Sequence, residues 1–214
     1  MASKFNVSSS PHVRDNSSTA NIMKDVCIAM IPTLAFGCFQ FGLSALIVVI
    51  CTVLACVLAE YLYEKVMNKP VTIGDFSAVV TGLILALNMP PQIPVWMPIL
   101  GGVFAIIVVK QLYGGLGQNF MNPALAARCF MLISFAGSMT NFSSVAMNYD
   151  SSSTPTPLAF LKAKGITDAL EQYNLVNIFL GRIPGTIGEV STIALLIGAI
   201  YLVVRKVISL RIPL

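Results

Sequence analysis

LSALIVVICTVLACVLAEYL, residues 43–62, carries a single charged residue, Glu60, in twenty positions. A helix needs about 20 apolar residues to cross the hydrocarbon core of a bilayer, so this stretch predicts a full membrane span. The rest of the chain agrees with it. Of 214 residues, 56% are hydrophobic and only 10% charged, with a mean hydropathy of +0.82. A soluble domain is about 25% charged, and a disordered chain combines low hydrophobicity with high net charge; both classes are excluded. The net charge of +4, from 13 basic against 9 acidic residues, is too small and too dispersed for a nucleic-acid surface.

Working outward from that span, five further apolar runs appear. Residues 26–41 precede it, interrupted by Pro32, where a kink is expected. Residues 76–87 are too short to cross and stop at Asn88-Met89-Pro90-Pro91. Residues 95–109 end in Lys110, whose long stem is expected to snorkel to the interface. Residues 123–135 are again short and carry Arg128, and residues 187–204 close the set. This pattern predicts an all-α polytopic membrane helix bundle with short half-helices. It divides into a polar tail at 1–21, membrane segments at 22–136, a long loop at 137–185, a sixth membrane segment at 186–204 and a polar end at 205–214. Broken helices must be buried in protein or line a polar cavity, because unpaired backbone groups cannot face lipid. Transporter-like folds place such half-helices in inverted repeats, and a second repeat would follow where the chain ends, after Arg211-Ile212-Pro213-Leu214.

Basic residues set the orientation. With every segment crossing and the N-terminus in the cytoplasm, nine fall inside (Lys4, Arg14, Lys24, Lys65, Lys69, Lys110, Arg205, Lys206, Arg211) and three outside (Lys162, Lys164, Arg182). The loop 137–185 is therefore expected on the extracytoplasmic face of a cell membrane. The polar N-terminus lacks the short apolar core of a cleavable signal peptide.

Conventional site chemistry is not visible. His12 is the only histidine, and Cys27, Cys38, Cys51, Cys56 and Cys129 lie in apolar runs without metal-ligand spacing, so a protein-built zinc site is not expected. Gly114-Gly115-Leu116-Gly117 lacks the strand–turn–helix setting of a dinucleotide fingerprint and reads as a turn before Asn119 and Asn122. Glu60 lies about one turn from the inner end of its span and is expected at the interface. Lys24, Asp25 and Glu189 read as boundary residues, and Asp75 as a cap for the short third helix. Arg128 is the exception: charge inside a span is costly and faces a polar interior.

The outer loop holds the most informative spacing. In Asn148-Tyr149-Asp150-Ser151-Ser152-Ser153-Thr154-Pro155-Thr156-Pro157-Leu158-Ala159, Asp150, Ser153 and Thr156 stand at i, i+3 and i+6. This resembles the D-x-x-[S/T]-x-A-T signal on which flavin transferases attach FMN to the final threonine. Ser10-Pro11-His12-Val13-Arg14, Asn21-Ile22-Met23 and Gly114-Gly115-Leu116-Gly117-Gln118-Asn119-Phe120-Met121-Asn122-Pro123-Ala124 add to a resemblance to the RnfD/NqrB family of membrane subunits, with the short N-terminal tail closer to the RnfD branch. The signal's alanine is Pro155 here. Thr154 is a neighbouring hydroxyl, but six residues before it stands Asn148 rather than an acid.

The resemblance implies an electron-transfer subunit with FMN on Thr156, and Asp150 and Ser153 as part of its recognition signal. The host would be an Rnf-type ferredoxin:NAD+ oxidoreductase complex moving H+ or Na+. Its other implied partners are a second flavoprotein subunit, Fe–S subunits and a flavin transferase. It further implies a second flavin, riboflavin in some relatives, bordered by Asn119 and Asn122. These asparagines either bond a flavin edge or cap the fifth helix, with Pro123 in its first turn. Arg128 either neutralises flavin charge or holds a structural partner. The competing expectation, from topology alone, is an inverted-repeat channel or solute transporter without a redox role.

Overall fold

A computed structural model describes residues 18–142, 157–164, 175–181 and 183–209. Asp150, Ser153 and Thr156, together with His12 and Arg182, lie outside the described residues. All regular structure among those described is helical, which is the expected all-α bundle.

Helix α1 (Thr19–Phe41) starts on Ser18, whose hydroxyl accepts from the Asn21 N–H at 3.3 Å, and accommodates Pro32 in its interior. It begins seven residues ahead of the apolar run because a capped polar turn extends it. Helix α2 (Leu43–Val66) follows after Gly42, whose φ of +74° permits the reversal. At 24 residues it is about 36 Å long. These two are long and apolar enough to cross a membrane.

The other apolar helices are short. They are α3 (Ser77–Leu87), α4 (Trp96–Phe104, continued by a π-helix over Ala105–Gln111), α5 (Pro123–Ser134) and, further on, α9 (Thr192–Val204). The sixth run, read from residue 187, enters a helix only at Thr192, because residues 187–189 form a turn and Ser191 caps the helix. The remaining pieces are a 3-10 turn (Ile73–Asp75), α6 (Ala136–Met139), α7 (Pro157–Lys164) and α8 (Leu175–Leu180).

At 11 residues, α3 spans only about 17 Å and sits in the middle, packed against α1, α2, α4 and α5. Its terminal carbonyls would be orphans in lipid. Protein groups satisfy them: Asn88 Nδ2 donates to Ile84 O at 2.7 Å, and the N–H groups of Gly188 and Ile187 donate to Leu87 O at 2.8 Å and Met89 O at 3.1 Å. The turn before α9 thus closes the end of α3, and α9 runs back along α1. Gly188 permits the joint, since a Cβ there would lie 2.7 Å from Leu87 Cβ.

Lys24 lies over the Phe76 ring, at 5.0 Å from its centroid, and Arg205 reaches Asp25. The start of α1, the end of α2, the start of α3, the end of the π-helix and the end of α9 therefore gather at one end of the bundle. Lys24, Lys65, Lys69, Lys110, Arg205 and Lys206 share that end.

Candidate functional site

Among the described residues, two polar sites flank α3. The first lies where α2 ends. Glu60 is fully buried and Glu64 nearly so, one turn apart on one face of α2. Lys110 Nζ donates to Glu60 Oε1 at 2.6 Å and to Ser77 Oγ at 2.5 Å. Gln111 Nε2 donates to Glu60 Oε1 at 2.9 Å and to Glu64 Oε1 at 3.3 Å.

The π-helix lets two consecutive residues reach one carboxylate, since its wider turn, bonded i→i+5 as in Leu112 N–H to Ile107 O, shifts the register of the last residues. Thr72 adds its N–H to Glu64 Oε2 at 3.0 Å and its hydroxyl to Glu64 Oε1, with that hydroxyl 3.4 Å from Glu60 Oε1. Asp75 accepts from the Ser77 N–H at 2.8 Å and the Ser77 hydroxyl at 2.5 Å. Asp75 therefore supports the start of α3 as expected, while Phe76, with φ +63°, occupies the cap position itself.

Two expectations are corrected here. Lys110 does not snorkel: its side chain is 2% exposed and paired with Glu60, which is 0% exposed and so lacks the solvation of an interfacial carboxylate. The physical reason is mutual. Each charge removes the other's need for water, and neither ion could be buried alone.

The second site lies at the far end of α3. Arg128 of α5 donates from Nη1 to Asn88 Oδ1 at 2.7 Å. With Thr33, Thr186 and Glu189 they line a cavity of about 410 Å³. Glu189 accepts from the Thr186 hydroxyl at 3.2 Å. The structure thus gives Arg128 a neutral amide partner rather than an acid.

Asn122 is the N-cap of α5, its Oδ1 accepting from Ala124 N–H at 3.0 Å and Leu125 N–H at 3.4 Å. Asn119 differs: its Oδ1 is buried without a partner among the described residues. Phe120 and Tyr113 meet at 4.6 Å and line, with Asn122, an otherwise apolar cavity of about 530 Å³. Gly114, Gly115 and Gly117 all take positive φ, which builds the turn leading there. Asn119 is not part of that cavity's lining, so the structure brings Asn122, but not Asn119, to the aromatic cavity.

Asp25, read as a boundary residue, is buried. It accepts from the Tyr201 hydroxyl at 3.0 Å and from Arg205 at 3.3 Å, a tie between α1 and α9. The hydrogen bond to Asp25 raises the Arg205 guanidinium above its ordinary value. Sequence reasoning missed the Glu60–Lys110 site altogether. The available signal was a pair of opposite charges, each about one turn from the same end of neighbouring spans. The five cysteines are free.

Comparison with known proteins bears on the whole chain. Residues 6–214 match the model of the NQR2, RnfD, RnfE family. Over 209 residues, 97% of its length, the chain is 49% identical to the D subunit of the Na+-translocating ferredoxin:NAD+ oxidoreductase complex of Acetobacterium woodii. It is 44% identical over 98% of its length to the proton-translocating counterpart of Clostridium ljungdahlii. To the D subunit of the ion-translocating oxidoreductase complex of Escherichia fergusonii it is 35% identical, again over 98% of its length. It spans 64% and 65% of the length of the first two relatives and 69% of the third.

Proposed function

The chain belongs to the NQR2, RnfD, RnfE family, and from that premise we propose that it is an electron-transfer subunit of an ion-translocating ferredoxin:NAD+ oxidoreductase complex. The observation that carries this reading is 49% identity kept over 97% of the chain. Other subunits, including Fe–S subunits and a second flavoprotein, would bind ferredoxin and NAD+. The complex would lie in the cell membrane. The lysine- and arginine-bearing end of the bundle would face the cytoplasm, and the loop with Thr156 the opposite side.

Thr156 is proposed as the attachment point of FMN. A flavin transferase would supply the group from FAD: the Thr156 hydroxyl oxygen bonds to the FMN phosphorus, the pyrophosphate bond breaks and AMP leaves. The support is the Asp150–Ser153–Thr156 spacing. The tethered flavin supplies redox chemistry, while the protein contributes position and electrostatics. Asn119 and Asn122 would border a second flavin, riboflavin by the family resemblance. Asn122 would also hold the α5 terminus. Arg128, which lines the cavity at the end of α3, would offset negative charge there.

A transporter without redox function also accounts for half-helices that meet inside the bundle, but it gives no use to the threonine spacing. Co-expression with a flavin transferase separates the two. The wild-type band is expected to fluoresce under ultraviolet light after denaturing electrophoresis and to gain the mass of one FMN. Thr156→Ala is expected to be dark and Thr154→Ala bright. A dark wild-type band overturns the flavin assignment.

A further inference from the structure

An apolar furrow of about 560 Å³ runs between α2 and α4 with its π-helix. Leu58, Leu62 and Val66, all exposed, form its α2 side, and Ile99 and Ile107 the other. Small residues bring the two helices together beneath it: a Cβ on Gly102 would lie 3.0 Å from Cys56 Sγ and 3.7 Å from Ala55 Cβ. Along α2 the furrow runs from Ala55 to Met67, about 18 Å, against about 15 Å for one leaflet of the hydrocarbon core. The Tyr63 hydroxyl is the one polar side-chain group in its lining.

Two ammonium groups flank the furrow where α2 ends. Lys65 is exposed and stands one turn beyond Leu62, with Nζ 5.8 Å from the centroid of the Tyr61 ring. Lys69 lies over Tyr63, which lines the furrow, at 5.1 Å. Among the described residues neither lysine pairs with a carboxylate, since the two ion pairs are Lys110–Glu60 and Arg205–Asp25. Glu64, the acid beside Lys65 in sequence, is buried and bonded to Thr72 and Gln111.

We propose that this furrow binds an anionic phospholipid of the leaflet at that end. One acyl chain lies between α2 and α4, and Lys65 and Lys69 hold the phosphate. Depth and charge carry the argument. A furrow one leaflet deep takes an acyl chain of that leaflet, whereas a helix crossing the membrane needs both. Two ammonium groups without acids favour a headgroup with uncompensated negative charge. A zwitterionic headgroup brings its own cation, which they repel. The orientation under the proposed function makes that leaflet the cytoplasmic one, and the site owes nothing else to that reading.

The test is photocrosslinking of the assembled complex in phosphatidylcholine vesicles that carry a trace of phosphatidylglycerol with a diazirine on one acyl chain. Peptide mapping is expected to place label within residues 55–67 and 99–107, and unlabelled phosphatidylglycerol to compete it away. Phosphatidylcholine with the same photoreactive chain is expected to label them roughly tenfold less or weaker still. Lys65→Gln combined with Lys69→Gln is expected to cut the phosphatidylglycerol label by a similar factor, and Lys65→Arg with Lys69→Arg to keep it. Leu62→Trp fills the furrow from an exposed position with both lysines intact. It is expected to exclude the label, and it keeps the test decisive should the glutamine pair not assemble. Equal labelling by the two lipids, or wild-type labelling of the glutamine pair, overturns the headgroup site. Wild-type labelling of Leu62→Trp overturns the place of the chain. Label on α1 or α9 but none in the furrow shows that another part of the complex covers it, and overturns the proposal. Thr156→Ala is expected to label like wild type, so failure of the flavin reading and failure of this one are distinguishable.

Discussion

Glu60 and Arg128 are both charged residues inside apolar helices, and the protein surrounds them in opposite ways. Around Glu60, side chains from α2, the Thr72 loop and the π-helix converge, and Lys110 supplies an opposite full charge at 2.6 Å. Around Arg128 the bonded partner is a neutral amide, Asn88, beside a cavity of about 410 Å³ whose lining also holds Glu189, itself bonded to Thr186. A charge closed in by protein is held by its partner's charge. A charge left beside a cavity keeps donors for something that enters it. The difference separates a site that binds the fold together from one shaped to receive a ligand.

The largest effect should come from breaking the closed site. Lys110→Met leaves Glu60 buried without its counter-charge, and losing one partner of a buried pair costs about 3–5 kcal/mol. Thermal unfolding in detergent should fall accordingly. Glu60→Leu combined with Lys110→Met should recover most of it, because an apolar pair of similar volume needs no charge compensation. If the single variant is as stable as wild type, the cluster is not holding the helices.

Next comes the wall of the open site. Gly188→Val places a Cβ 2.7 Å from Leu87 Cβ and 3.1 Å from Leu87 O, where the turn before α9 closes α3. Overpacking of this kind costs about 1–3 kcal/mol. Arg128→Ala should cost less than Lys110→Met, about 1–2 kcal/mol. Asn88 loses one hydrogen bond but keeps the one from Nδ2 to Ile84 O. An Arg128→Ala loss as large as that of Lys110→Met would make the two sites alike and remove the contrast.

The two sites also differed in how far the sequence revealed them. Arg128 stands alone in an apolar run, so its polar surroundings followed from solvation cost alone. Its partner did not, because Asn88 sits before Met89-Pro90-Pro91 and reads as the stop of a helix. Lys110 stood at the end of an apolar run, where a lysine ordinarily reaches water. Its pairing with Glu60 joins residues 50 positions apart, and no local period encodes such a contact. The half-helices were legible for a local reason: Pro90-Pro91 and Asn122-Pro123 mark where helical hydrogen bonding has to stop or start. The end of α3 was not, since its carbonyls are closed by Ile187 and Gly188, a hundred residues further along.

The smallest stability effects lie at Asn122 and Asn119, and they discriminate most finely between holding the fold and receiving a ligand. Asn122 caps α5 through Oδ1, so Asn122→Ala should cost about 1 kcal/mol. Asn122→Asp should cost little, since it keeps the acceptor and adds a charge favourable to the helix N-terminus. Asn119 Oδ1 bonds nothing among the described residues, so Asn119→Ala removes no hydrogen bond of the fold and should stay within about 0.5 kcal/mol of wild type. Flavin released by denaturation without cleaving the Thr156 ester then measures the other role. Asn119→Ala should lose that non-covalent flavin while unfolding like wild type, and Asn122→Asp should retain it. If Asn119→Ala unfolds earlier and keeps its flavin, the orphan oxygen has a structural partner and the ring is held elsewhere.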